Sequence, residues 1–203
     1  MNVLSIDFDI IMAPDINLYN PLINPPHKFE DLMEIYPVLG GCRADLEHYR
    51  KLVLYILKVA KTLDVKDIRV SYSHEDIKNV LNDCVDVHVY NIDHHHDLGY
   101  PIEGKDEPEG CTCANWGDFY FENQTIKSFT WIKNSNSDDH PKYKNDLRVR
   151  SFNLEDFDLS TLPPMDKIFL CLSPEWVPPM YYPLFYNILD LINYEKDCVL
   201  EVY

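Results

Sequence analysis

The stretch Val85-Asp86-Val87-His88-Val89-Tyr90-Asn91-Ile92-Asp93-His94-His95-His96-Asp97 decides how the chain folds. Val85, Val87 and Val89 alternate with polar residues and Ile92 closes the run, which predicts a β-strand. Five consecutive potential metal ligands follow it without a break. In extended backbone alternate side chains point the same way, so Asp93, His95 and Asp97 share one face and His94 and His96 the other. Five such groups at the end of an apolar strand are costly to bury without partners, which points to a site rather than an accidental polyhistidine.

The same passage from apolar strand to polar cluster recurs three times. Asn2-Val3-Leu4-Ser5-Ile6 runs into Asp7-Phe8-Asp9. Ile68-Arg69-Val70-Ser71-Tyr72 is followed by Ser73, a helix cap with Asp76 three residues on, and by His74. Ile168-Phe169-Leu170-Cys171-Leu172 stops at Ser173-Pro174-Glu175. Between these strands lie helices. Residues 43–63 carry Leu46, Tyr49, Val53, Ile56, Ala60 and Leu63 on one face. A short helix is predicted over 75–82, and a last one buries Leu184, Phe185, Ile188, Leu189 and Ile192. Strands alternating with helices predict a single α/β domain over residues 1–203: three layers, a mainly parallel sheet with helices on both faces. Ligands of such sheets bind outside the carboxyl ends of the strands, so the four clusters are expected on one rim. Residues 13–41, rich in Pro, Asn and Gly, read as a long loop with a helical turn near 29–35. Residues 99–118 read as irregular, Phe119–Ile132 as a hairpin turning at Asn123-Gln124, and 133–150 as exposed polar chain.

Composition narrows the partners. Hydrophobic residues make up 46% and charged residues 26% of the 203, as in a globular protein. No apolar window is long enough for a membrane span. Met1–Asp7 lacks the basic region of a signal peptide, so a cytoplasmic location is expected. The formal net charge of -16 repels nucleic acid and attracts cations, metal ions and basic peptides among them. Six cysteines are scattered, and the close pair Cys111 and Cys113 lacks the spacing of a zinc knuckle, so reduced structural thiols are expected.

Asp7, Asp9, His74, Asp93, His95 and Asp97 are the candidate metal ligands. An oxygen-rich set with some imidazole suits Mn²⁺, Fe²⁺ or Mg²⁺ better than structural zinc. Two ions about 3.5–4 Å apart would use this many ligands and activate water for hydrolysis; one ion is the simpler alternative. Glu175 is a candidate for a functional carboxylate, and Trp116 and Trp176 for the lining of an entrance.

The pattern resembles the arginase-like ureohydrolases. Asp93-His94-His95-His96-Asp97 matches their Asp-x-His-x-Asp motif, Ser5-Ile6-Asp7-Phe8-Asp9 with Pro14 beyond matches their Ser-x-Asp-x-Asp motif, and His74 matches their upstream histidine. The closer likeness is to the peptide arginases, through Ser5–Asp9, Asn91–Tyr100, Cys113–Gly117 and Cys171–Pro179, together about a third of the chain. The resemblance implies two manganese ions, one among His74, Asp93, Asp97 and Asp7, the other among His95, Asp93, Asp7 and Asp9. It implies attack by the bridging hydroxide on the guanidinium carbon of an arginine within a peptide, leaving ornithine and releasing urea. Glu175 would pair with the guanidinium, and His96, or else His94, would carry protons. In ordinary arginases the Ser-x-Asp-x-Asp block follows the Asp-x-His-x-Asp block; here it comes first, so an altered strand order is expected. The competing readings are an amidohydrolase or deacetylase on the same sheet edge, a phosphoesterase of the Asp-His-His kind, and a protein that keeps a metal for structure.

Overall fold

A computed structural model describes residues 1–12, 43–99, 110–174 and 176–203. Six strands form one sheet: β1 (Asn2–Asp7), β2 (Ile68–Ser71), β3 (Val87–Ile92), β4 (Ile126–Lys133), β5 (Val149–Asn153) and β6 (Lys167–Cys171), in the spatial order β2-β6-β1-β3-β4-β5. Every pairing is parallel. Such a sheet is buried on both sides, which is why its central strands are apolar at successive positions rather than alternately.

The helices divide between the two faces. Helix α1 (Leu46–Ala60) begins at Asp45, whose carboxylate accepts from Glu47 N at 2.8 Å and His48 N at 3.0 Å. Leu52, Ile56 and Val59 of α1 join Phe185, Ile188 and Ile192 of α4 (Tyr182–Lys196) in a core against Leu4, Ile6, Ile168 and Leu170. On the opposite face Val80 and Leu81 of α2 (Lys78–Leu81) and Trp116, Tyr120 and Phe121 of α3 (Trp116–Glu122) pack on Val3, Val89, Phe129 and Phe169. The period-two alternation within each strand, Val3 against Leu4 and Phe169 against Ile168, assigns its side chains to the two cores. The three-layer α/β reading of the sequence therefore holds.

Chain direction reverses beside the centre of the sheet. From β1 the chain goes by α1, on one face, to β2 at the far edge. From β3 it goes by α3, on the other face, to the neighbouring β4. The carboxyl ends of β1 and β3 thus diverge to opposite faces and leave a crevice, the place where open parallel sheets receive ligands. Register sets its floor: Ile6 is level with Ile92 and Asp7 with Cys171, which places Asp93 beside Asp7.

Three expectations are corrected. Phe119–Ile132 is no hairpin: α3 ends at Glu122, the chain turns through Gln124 at a φ of 59°, and β4 runs parallel to β3. Helix α3 also claims the end of the stretch read as irregular, beginning at Trp116. Within 133–150, read as exposed, Asn134, Ser137 and Tyr143 are buried, and Val149 opens a strand the sequence did not signal. The loop expected over 13–41, with its helical turn near 29–35, lies outside the described residues. Among the described residues the five cysteines form no disulfide, and no helix is long and apolar enough to cross a membrane.

Candidate metal centre

The apolar strands deliver their polar ends to one rim on the α2 and α3 face. Asp7 closes β1 and caps the 3-10 turn Phe8–Ile11, which carries Asp9. Phe8, between them, points the other way and meets Phe185 edge-on at 5.3 Å. Ser73 caps the turn that carries His74. Asp93 follows β3, and Trp131 Nε1 donates to its carbonyl at 2.9 Å.

His74 is buried, and its Nδ1 lies 3.2 Å from Asp7 Oδ2, 3.2 Å from Asp93 Oδ2 and 3.0 Å from Asp97 Oδ2. It is aligned for a hydrogen bond with none of them. On the other edge of the ring, Nε2 meets Ser5 Oγ at 2.7 Å. With Nε2–H donating to that hydroxyl, the Nδ1 lone pair faces the carboxylates. Stacking on Phe169, at 5.7 Å and 14°, and a tilted contact with Trp116 at 5.1 Å fix the ring. The second group centres on Asp9, which is wholly buried and has Oδ2 2.8 Å from His95 Nδ1. His95 Nδ1 in turn is 4.0 Å from Asp93 Oδ1.

Lone pairs aimed at a common point repel unless a cation stands there. Ligands at right angles on bonds of about 2.1 Å lie about 3.0 Å apart, which is the spacing around His74 Nδ1. Asp7, His74 and Asp93 form one group whose donor atoms all lie within 4.8 Å of one another, and Asp9, Asp93 and His95 form a second. The first group can hold a metal ion. Asp93 belongs to both, with Oδ2 toward His74 and Oδ1 toward His95. The charge balance shows the same need for positive charge. Burial, with Asp97 and Asp7, pushes Asp93 up to about 7, and burial first of all raises Asp7 and Asp9. Burial alone would lower His74 and His95, yet neighbouring aspartates carry His74 well above its ordinary value and His95 up to about 10.

A surrounding layer holds these groups in place. Ser173 Oγ donates to Asp7 Oδ2 at 2.6 Å, Asn91 Nδ2 to Asp93 Oδ2 at 3.2 Å, and His95 N to Asp93 Oδ1 at 2.8 Å. Asp97 stands beside the first group, its Oδ2 accepting from Trp116 Nε1 at 2.6 Å. Its φ of 52° is a left-handed backbone that a non-glycine residue seldom adopts, and Gly117 N donates to its carbonyl at 2.9 Å. A Cβ on Gly117 would sit 2.9 Å from that same oxygen, so only glycine lets α3 approach so closely.

The six expected ligands therefore converge, five within the two groups and Asp97 against them. Trp116 is corrected: it is wholly buried and lines no entrance, serving instead as the donor to Asp97. Trp176 is half-buried, with its ring 4.6 Å from that of His95. His96 belongs to neither group. Its Nδ1 accepts from Leu98 N at 3.0 Å, and its ring meets Trp131 edge-on at 5.6 Å. His94 turns toward Asn134 and Ser137. Burial holds both of these rings neutral, down to about 3. Glu175 lies outside the described residues. Sequence reasoning missed Ser173 and Asn91 as supports; Asn91 had a signal in strand parity, two residues before Asp93, whereas Ser173 lies past the end of β6 at a φ of 49°, where parity no longer assigns a direction.

No protein-family model, curated protein or solved structure matches the chain.

Proposed function

We propose that this chain is a hydrolase that depends on two divalent metal ions, manganese by preference, and converts arginine side chains of a peptide to ornithine with release of urea. The observation that carries the reading is Asp93, a buried carboxylate shared between two ligand groups, with His74 Nδ1 facing three aspartates without a hydrogen bond. A pair of bound cations would supply activated water at that rim.

The chain's own residues set the rest. Asp7, Asp93 and His74 hold one position and Asp9, Asp93 and His95 the other, with Asp97 and its indole partner closing the first. Ser5 fixes which ring nitrogen of His74 faces the centre. A phosphate ester would want basic residues, and only 18 Lys and Arg stand against 34 Asp and Glu, which favours a cationic substrate. An excess of 34 acidic over 18 basic residues draws basic peptides to the surface. The apolar face of Trp176, beside His95, gives an approaching aliphatic chain a wall, and Glu175, next in sequence, is the residue proposed to pair with the guanidinium fork.

Incubation with Mn²⁺ and arginine-containing peptides tests the reading. Loss of about 42 Da per arginine, the mass difference between arginine and ornithine, is the expected outcome. Unchanged arginine peptides, with acetate freed from acetyl-lysine peptides or phosphate from a phosphodiester, would overturn it in favour of the corresponding alternative.

A further inference from the structure

On the face of the sheet that carries α1 and α4, the core extends to Ile92 and Ile132 at the carboxyl ends of β3 and β4, and Lys51 of α1 reaches the carbonyl of Leu154 just past β5. Over the rest of β3, β4 and β5 the described cover is not a long helix but the segment 157–163 with its 3-10 turn Leu159–Thr161, although parallel sheets are otherwise covered by helices on both sides. The side chains beneath that segment are mixed in character. Tyr90, Ser128, Thr130 and Arg150 line a concavity of about 350 Å³ with Phe152 and Phe157. That volume is at the lower end of ligand sites, and its lining combines aromatic rings with convergent polar groups.

Two details say what fits. Arg148, at the same concavity, is already held by Asp146, with Nη2 2.6 Å from Oδ2 and Nε 3.0 Å from Oδ1. Arg150 has no ion partner among the described residues, and it stands close enough to Tyr90 to pull the phenol down against the burial that raises it. One free guanidinium beside a phenolic hydroxyl suits one planar monoanion, a carboxylate. Phe152, 40% exposed, and Phe157, their rings 4.9 Å apart, offer an apolar surface beside it.

The second detail is the edge. Strand β5 ends the sheet and pairs with β4 alone. Phe129 N donates to Arg148 O at 2.9 Å and Leu154 N to Lys133 O at 2.7 Å, so the even-numbered residues of β5 bond inward. By the parity of a parallel ladder, the N–H and C=O of Ser151 point outward. The opposite edge differs: Val202 bridges to β2 and Tyr203 N bonds to Val70 O at 3.2 Å, so the C-terminal residues cover it. Among the described residues no strand pairs with this edge; Val149 N bonds to Asp146 O and Asn153 O accepts from Phe157 N, which leaves the N–H and C=O of Ser151 as the outward pair, and an edge with side-chain recognition beside it is the arrangement to which an extended peptide adds as a further strand.

We propose that an extended acidic peptide segment pairs with the outer edge of β5, setting a carboxylate on Arg150 and an apolar side chain against Phe152 and Phe157. This site lies on the opposite face of the sheet from the metal centre and does not depend on it. The probe is a fluorescein-labelled peptide of about seven residues with a central glutamate flanked by phenylalanine and valine, followed by fluorescence anisotropy with the full chain. Saturable binding is expected, unchanged by chelator and about tenfold weaker for the glutamine version of the peptide. Arg150→Gln should lose about the same factor. Ser151→Pro, which removes the outward N–H and is tolerated on an edge strand, should weaken both peptides while thermal unfolding stays cooperative. No saturation up to about 1 mM, equal binding of the two peptides, or wild-type affinity in both variants would overturn the proposal.

Discussion

Replacing Trp116 by Phe tests whether the layer around the ligands governs the centre. The indole Nε1 donates to Asp97 Oδ2 at 2.6 Å inside a fully buried ring, and Asp97 Oδ2 is 3.0 Å from His74 Nδ1. Phe keeps the contact with Phe129 but removes the donor, so the carboxylate is free to turn from its present angle. A hydrogen bond to a charged group is worth about 1.5–3 kcal/mol. Loss of an outer partner of a metal ligand costs about tenfold to a hundredfold in metal affinity, the same range. The smaller ring also leaves a void of about 40 Å³, which at about 24 cal/mol per Å³ takes about 1 kcal/mol from the fold, or roughly 2–4 °C in a chain of this size. Competition for Mn²⁺ against a chromophoric chelator reads the affinity, and the thermal transition without metal reads the fold. Both should fall, the affinity by far the more. An affinity within twofold of wild type, with the expected small drop in Tm, would refute the positioning role.

Gly117→Ala places a Cβ 2.9 Å from Asp97 O, 3.0 Å from Leu98 Cδ2 and 3.1 Å from Phe129 Cε2, so α3 must move away. The expected cost is about 1–3 kcal/mol in urea unfolding, together with weaker metal uptake; an unchanged midpoint would show that α3 shifts freely. His96 is held neutral in the fold, down to about 3, while the unfolded ring titrates near 6.5. The unfolded state therefore binds more protons between these values, and the contribution of His96 is full above about pH 6.5 and lost as pH falls toward 3. Between pH 7.5 and 5 the loss is about 2 kcal/mol, so the stability of His96→Phe should fall less over that interval than that of wild type by this amount; parallel pH curves would contradict the buried neutral ring.

Much of this centre was legible because a strand end is a local event. An apolar run that stops at Asp7-Phe8-Asp9 or at Asp93–Asp97 announces both the strand and its polar tip, and period-two geometry says which side chains agree in direction. Parallel register then did what no local pattern could, placing Asp93 level with Asp7 across a large sequence separation. The failures are non-local as well. Asn123-Gln124 has the composition of a hairpin turn, but Trp116–Glu122 buries Trp116, Tyr120 and Phe121 at helical spacing, and that packing decides. Val149-Arg150-Ser151-Phe152-Asn153 was missed because an edge strand with a partly exposed face has no need of an apolar pattern. Trp116 looked like an entrance residue because its partner, Asp97, is set by tertiary contact with α3 and not by any nearby motif.

The most direct measurement is the metal content of the protein, by mass spectrometry after equilibration with Mn²⁺ and gel filtration, for wild type and Asp93→Ala. Because Asp93 is common to both ligand groups, the wild-type chain should carry two ions and the variant, still folded by circular dichroism, close to none. A wild-type protein that retains no transition metal, or an Asp93→Ala protein that retains as much as wild type, would contradict a metal centre at this rim.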